Sequence, residues 1–293
     1  MGLNLIAWNS QGDKADALWR ALVGTSRAAP FQQYLPAPLG TAPAGTSLLI
    51  FVCEAGNPPW YNSKADVAPG HVYRFSYGND TKPLWFNQDS LNSGIGQALA
   101  AHTKDRILAD AIWIEWQRPT IPGGPVYSRC SVSAYWFPDL GGSVSATLGK
   151  RDLVHVGGES GRPVITANFR AGGADKLSLY LTHLPAYTIG ATEALRQLVA
   201  ATAGIQPETA PPVFIGGDLN IDALAKPAPT VPKRWSAART GKPTQWWGGE
   251  LDWGIVKGAS PSVTRLWPYT TSVAPPASDH SGLLYQFALA KRT

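Results

Sequence analysis

The 293 residues carry 25 Lys+Arg against 20 Asp+Glu, a formal charge of +5, with charged residues at 15% and hydrophobic ones at 44%. Against the roughly 25% charge of an average globular chain, this excludes a solvated disordered polymer. Twelve Trp, 25 Pro and 30 Gly exclude a coiled coil or helix bundle and indicate many turns and large aromatic anchors.

In chain order, short apolar runs bounded by Gly, Pro and Asn recur at 3–8, 47–53, 71–76, 111–116, 126–137, 164–169, 177–182, 213–215, 251–256 and 282–289. Their lengths and branched or aromatic content predict strands. Between them, 13–23 aligns Ala17, Leu18, Ala21 and Leu22 on one helical face, and 192–203 does the same with Leu195, Leu198, Val199 and Thr202. A third helical segment, 91–110, is interrupted by Gly94 and Gly96. No repeat is visible, and strands outnumber helices, so the reading is one α/β domain over 1–293, a mixed-sheet sandwich rather than a doubly wound sheet. Two Pro-, Ala- and Gly-rich stretches, 28–45 and 223–249, predict surface loops. The second holds Lys226, Lys233, Arg234, Arg239 and Lys242 and no acid, so the rest of the chain is formally neutral.

No apolar run approaches the ~20 residues that span a bilayer. The first residues lack the basic and apolar regions of a signal peptide, and an apolar strand starting almost at residue 1 is compatible with a leader removed earlier. Only Cys53 and Cys130 are present, both in strand-like runs, and they read as buried thiols rather than a bridge.

The chemistry concentrates at strand ends. Asn9 follows Ile6-Ala7-Trp8, Glu54 follows Ile50-Phe51-Val52-Cys53, His183 follows Leu179-Tyr180-Leu181-Thr182, and Asp218 and Asn220 follow Val213-Phe214-Ile215-Gly216-Gly217. Asp252 opens a strand, and Ser278-Asp279-His280 precedes the last one. Six strand ends thus offer amide, carboxylate or imidazole groups to one rim. A hard divalent cation takes oxygen ligands, which Glu54 and Asn9, joined by Asp218 or Asp279, could supply. His183 and His280 could transfer protons or stabilise a phosphorane-like transition state. His71, His102 and His155 lack such a context and read as surface or core residues.

In this order, Trp8-Asn9, Glu54-Ala55-Gly56, Thr182-His183-Leu184, Gly217-Asp218-Leu219-Asn220, Leu251-Asp252 and Ser278-Asp279-His280 resemble the endonuclease/exonuclease/phosphatase superfamily across essentially the whole chain. Within it, Trp8-Asn9-Ser10-Gln11-Gly12, Arg162-Pro163, Thr230-Val231-Pro232-Lys233-Arg234, Pro243-Thr244-Gln245 and Leu251-Asp252-Trp253 are similar to the B subunits of cytolethal distending toxins, which are themselves deoxyribonuclease-like. Cys53 departs from the pattern, standing where Gln commonly precedes the metal-binding Glu, and 119–127 and 141–150 have no counterpart.

The resemblance implies a four-layer sandwich, two packed mixed β-sheets with outer helices. It also implies a Mg²⁺-dependent deoxyribonuclease, with Mn²⁺ or Ca²⁺ as other cations. Glu54 would be the principal metal ligand, with Asn9 and Asp279 beside it. His183 and His280 would flank the scissile phosphate, His280 held by Asp252; Asp218 would orient or deprotonate water. Asn220 and Arg162 would bind phosphate oxygens. Arg118 falls where the pancreatic enzyme has a Glu supporting the first histidine, which leaves His183 without that carboxylate.

By the same resemblance the chain is a secreted toxin subunit, delivered by lectin-like partner subunits to cut DNA in a host nucleus. Hydrolysis of phosphatidylinositol trisphosphate on the same scaffold is an alternative, and an inactive binding or scaffold protein is a third. Flanked by Asp218-Asn220 and Asp252, the basic loop with Lys233 and Arg234 reads equally as a solubilising segment or as a phosphate-backbone contact. Trp246 and Trp247 could stack on bases, although most of the tryptophans belong to core or interface.

Overall fold

The computed structural model describes residues 1–10, 46–55, 72–76, 110–114, 131–139, 144–152, 162–186, 188–203, 210–267 and 278–289. The helices expected at 13–23 and 91–110, the loop 28–45, Arg118, Cys130, His71, His102 and His155 lie outside these residues, save for Asp110, which opens a strand.

Apolar alternation with branched residues yields β1 (Gly2–Asn9), β2 (Thr46–Cys53), β3 (Val72–Ser76), β4 (Asp110–Ile114), β5 (Val132–Phe137), β6 (Val144–Asp152), β7 (Pro163–Ala171) and β8 (Ala174–His183). There follow helix α1 (Thr188–Ala203) and strands β9 (Val213–Asp218), β10 (Ser236–Ala238), β11 (Asp252–Lys257), β12 (Ser262–Trp267) and β13 (Gly282–Ala288). Four elements differ from the sequence expectation. Strand β6 occupies part of 141–150, β10 lies inside the basic loop, and β12 was not anticipated; α1 also starts four residues before its predicted onset at 192.

One sheet runs β12-β13-β1-β2-β5-β4-β3 and the other β10-β11-β9-β8-β7-β6. Each holds one parallel pair, β1 with β2 and β8 with β9, and its other neighbours are antiparallel. Both sheets are therefore mixed, as the resemblance implies.

Period-2 alternation sends one face of each sheet into a shared core. Leu3, Leu5 and Ala7 of β1, Leu49 and Phe51 of β2, Ile165 and Phe169 of β7, and Leu177, Leu179 and Leu181 of β8 meet there. The opposite face of the second sheet, with Ile215 and Ile255, packs against Ala191, Ala194, Leu195 and Leu198 of α1. Burying a side chain of this size contributes roughly 1.5–3 kcal/mol. Among the described residues this gives three stacked layers, two sheets and a covering helix.

Phe214 ties the sheets together, meeting Tyr285 and Phe287 edge-to-face at centroid distances of 5.0 and 5.4 Å. Its ring lies over Gly216 and its cross-strand partner Gly254, where a Cβ would come within 2.4 Å of ring carbons. Gly217 is required for a different reason. Its φ is +129°, and a Cβ there would sit 2.2 Å from the Thr182 carbonyl oxygen of neighbouring β8.

Register then fixes where the candidate site residues emerge. Asn9 ends β1 opposite Cys53, and His183 ends β8 opposite Asp218. Asp252 starts antiparallel β11, also opposite Asp218, while β13 runs antiparallel to β1 and so begins at the rim where β1 ends.

Candidate active site

Asp218, buried at the end of β9, is the hub. Its Oδ1 accepts the Asn220 backbone N–H at 3.0 Å, and its Oδ2 accepts Asn9 Nδ2–H at 2.9 Å from the other sheet. The same Oδ2 lies 3.6 Å from His183 Nε2 and 3.8 Å from His280 Nε2. Asn9 also donates to Glu54 Oε1 at 3.2 Å, and that oxygen is 3.9 Å from His183 Nε2. His280 and Asp252 form the tightest pair, with Nδ1 2.7 Å from Oδ2. Asp279 completes the group, its Oδ1 3.9 Å from His280 Nε2. Asn9, Glu54, His183, Asp218, Asp252, Asp279 and His280 thus converge from both sheets.

Asn220 sits at φ 51° and donates one amide N–H to the Leu184 carbonyl at 2.8 Å, which leaves its second N–H for another acceptor. Glu54 also has a left-handed φ, 48°. Two of the three non-glycine residues described in this costly region, the third being Arg234, thus lie at the same rim, where backbone strain is tolerated for position. Arg162 is buried, and its charge reaches His183. Lys233 and Arg234 are elsewhere, exposed on a turn closed by Trp235 N–H to the Pro232 carbonyl at 3.0 Å.

The electrostatics separate the two imidazoles. Burial lowers His183 well below 6.5, helped by the positive charges of Arg162 and His280, so it is neutral at pH 7. Burial also opposes protonation of His280, but the carboxylates of Asp252, Asp218 and Asp279 outweigh it and raise this group to about 10. Asp218 is pushed up to about 7, mainly by burial, against the opposing pull of His280. One neutral imidazole, one imidazolium and a carboxyl poised near neutrality thus share a space of a few ångströms. Asp252 also orients the ring, since its carboxylate accepts the His280 Nδ1–H and Nε2 then lies 3.8 Å from Asp218 Oδ2 and 3.9 Å from Asp279 Oδ1.

Several supporting residues were given no role from the sequence, although Ser10, Thr244 and Ser278 stand in its motifs. The Ser278 hydroxyl donates to the Asn9 carbonyl at 2.6 Å and accepts His280 N–H at 3.1 Å, coupling both ends of the chain at the rim. Ser10 donates to the Glu54 carbonyl at 2.8 Å. Buried Thr244 accepts the backbone N–H groups of Leu251 and Asp252, each at 3.0 Å, and its carbonyl accepts Ser281 N–H at 2.7 Å. Glu250 and Asp222 brace the basic loop. Glu250 Oε1 accepts Thr240 N–H at 2.6 Å and Gly241 N–H at 3.0 Å, while Asp222 Oδ1 accepts Leu224 and Glu250 N–H at 2.9 and 3.0 Å. Arg239 is committed to the Ala223 carbonyl. Serine and threonine in such roles look like any others until the fold supplies their partners.

A divalent cation fits the donor chemistry. Asp218, Asp252 and His280 bring ligand atoms within 4.8 Å of one another, a grouping that could hold a metal. It differs from the Glu54, Asn9 and Asp279 set read from the sequence, and Asp252 Oδ2 is already engaged by His280. Asp279 Oδ1, by contrast, is buried with no hydrogen-bond partner among the described residues, an orphaned hard oxygen that suits a cation. A cavity of about 350 Å³ bordered by Asp175, Lys176, Pro212 and Lys257 lies at the opposite strand ends and contains no histidine.

No family model matches the chain, and no curated protein matches it by sequence. Solved structures do match. CdtB, the biologically active subunit of cytolethal distending toxin, is 15% identical with a TM-score of 0.51, covering 96% of each chain. The inositol polyphosphate 5-phosphatase domain of SPsynaptojanin, solved with inositol (1,4)-bisphosphate and calcium, is 10% identical with a TM-score of 0.52, covering 98% of this chain and 83% of that one. An endonuclease/exonuclease/phosphatase family protein from Bacteroides thetaiotaomicron is 12% identical with a TM-score of 0.51, covering 99% of both. The chain has the endonuclease/exonuclease/phosphatase fold, the deoxyribonuclease-like α/β sandwich.

Proposed function

We propose that the protein is a divalent-cation-dependent phosphodiester hydrolase that cleaves DNA internally. The observation that carries this reading is the convergence on Asp218 Oδ2 of Asn9, neutral His183 and the Asp252-held His280 imidazolium. An inactive scaffold has no use for such a cluster, because burying four ionisable groups together costs stability unless it serves chemistry.

The chain's own residues account for the proton movements. Asp218, near pH 7 at its midpoint, takes a proton from the attacking water while Asn9 holds its Oδ2 in place. The water oxygen forms a bond to phosphorus as the opposite P–O bond breaks, and His280 Nε2–H gives its proton to the departing oxygen. Asp252 keeps the ring oriented throughout. Neutral His183 and the second N–H of Asn220 bind phosphoryl oxygens, and Arg162 supplies positive charge from behind His183. Glu54, Asn9 and Asp279 would hold Mg²⁺, or Mn²⁺ or Ca²⁺, which when bound supplies charge neutralisation at the phosphoryl oxygens.

The likeness to CdtB, together with the motifs shared with toxin B subunits, supports the finer reading of a secreted genotoxin subunit carried by lectin-like partners to nuclear DNA. The likeness to an inositol polyphosphate 5-phosphatase domain favours a second reading, a phosphoinositide phosphatase on the same residues. Plasmid nicking with Mg²⁺ and with EDTA, set beside phosphate release from soluble phosphatidylinositol trisphosphate, separates them. The expected result is Mg²⁺-dependent nicking that EDTA abolishes and that His183→Ala or His280→Ala lowers by ~10²–10⁴-fold each. Near-normal nicking by both variants would sink the assignment.

A further inference from the structure

Of the four large hydrophobic residues exposed among the described ones, two are adjacent in sequence and in space. Trp246 is 46% and Trp247 78% accessible, and their rings meet edge-to-face at 5.7 Å and 70°. Their turn is tightly built. Gly249 O accepts the N–H groups of both Thr244 and Gln245, and Gly248 N–H, at φ +97°, returns to Gln245 O. This turn is fastened to the catalytic rim, since Trp246 N–H donates to Asp279 O at 2.9 Å and Gln245 forms a β-bridge with His280. Two flat apolar rings are therefore presented to water on a hydrogen-bonded turn whose backbone pairs with Asp279 and His280 of the candidate site.

The surroundings indicate what covers them. Lys242 precedes the turn, and the Arg265 guanidinium reaches its Pro243 carbonyl at 3.4 Å; both cations are exposed. Aromatic faces beside cations suit a nucleobase and its flanking phosphates, whereas an inositol ring offers hydroxyls and no flat π-face. The base attached through its sugar to the scissile phosphate is the planar group that must lie next to His280. We propose that Trp246 and Trp247 form a base-stacking subsite beside that phosphate, selecting strands whose neighbouring base is unpaired or free to unstack. The inference rests on the phosphodiesterase reading and narrows its substrate to nucleic acid with an accessible base.

The test compares full-length wild type, Trp247→Ala and Trp247→Phe on a single-stranded oligonucleotide and on one carrying abasic residues around the cleavage site, both with Mg²⁺. Trp247→Ala is expected to lower kcat/KM on the base-bearing strand about tenfold, mainly through KM, and on the abasic strand much less, while Trp247→Phe restores most of the loss. Equal losses on the two strands, or none, overturn the subsite while leaving the hydrolase reading standing. A wild type that cleaves neither strand yet releases phosphate from soluble phosphoinositide overturns both. A Trp247→Ala defect confined to phosphoinositide in phosphatidylcholine vesicles would make the rings a bilayer anchor and refute stacking.

Discussion

Replacing Asp252 by asparagine preserves the shape of the side chain and removes the charge facing His280 Nδ1 at 2.7 Å. Burial alone would depress His280, yet three carboxylates take it from 6.5 to about 10, and Asp252 is the largest of those favourable contributions. At ~1.4 kcal/mol per tenfold step in the protonation equilibrium, the imidazolium is favoured by roughly 5 kcal/mol, so losing the main contributor should move the ring well down from about 10. The assay is a pH profile of oligonucleotide cleavage from pH 5.5 to 9.5, with the His280 ring resonance followed by NMR. In wild type the rate should rise as Asp218 ionises through about 7 and hold until His280 loses its proton near 10. In Asp252→Asn the alkaline limb should move into the measured range, and above the shifted value the rate should fall about tenfold per pH unit. A His280 titration and alkaline limb identical to wild type would refute the coupling. Stability supplies a second readout. A histidine raised on folding stabilises fully below its unfolded value of 6.5 and loses that stabilisation as pH rises through about 10, so the variant's melting deficit should be larger at pH 6 than near pH 10.

Asp218 shows a linkage of the same sign in a lower pH window. Its folded value of about 7 exceeds the unfolded 3.8, so the native state binds the extra proton and stability falls as pH rises across that window. Asp218→Asn should therefore abolish cleavage and raise stability at pH 8 by about 1–2 kcal/mol, with no gain at pH 3.5; a lower melting temperature at pH 8 would contradict this. Gly217→Ala places a Cβ 2.2 Å from the Thr182 oxygen at φ +129° and should destabilise by more than ~3 kcal/mol in chemical denaturation, and a loss below 1 kcal/mol would mean that β8 and β9 separate easily. Neutralising Lys233 and Arg234 together should reduce the slope of log affinity for DNA against log salt by about 2, and an unchanged slope would make their loop a solubilising segment.

The candidate site was legible because each of its residues follows or precedes an apolar run, and strand ends are where alternation stops. The three strands missing from the sequence reading, β6, β10 and β12, all lie at sheet edges. An edge strand pairs on one side only and tolerates polar residues, and in β6 the large apolar side chains buried are Val144 and Leu148 alone. The onset of α1 was missed because its first turn contains Gly190 and an exposed Ile189, which break the apolar stripe. The bracing roles of Thr244 and Ser278, residues that stand in the motifs, were illegible for a deeper reason. Ser278 donates to a carbonyl 269 positions away, and no local pattern encodes a hydroxyl's distant partner. The opposite protonation of His183 and His280 likewise depends on burial and on which carboxylates surround each ring.

The hydrogen bonds from Asn9 to Asp218 and from His280 to Asp252 run between the two sheets, at 2.9 and 2.7 Å. They act as a gauge of inter-sheet spacing. A separation of only ~1 Å would carry both beyond bonding range, above about 3.5 Å, while every ladder within each sheet stayed intact. Loosening of the shared core, as in an expanded acid state, would thus silence hydrolysis before the strands come apart. Turnover would be a more sensitive reporter of core tightness than any measure of secondary structure.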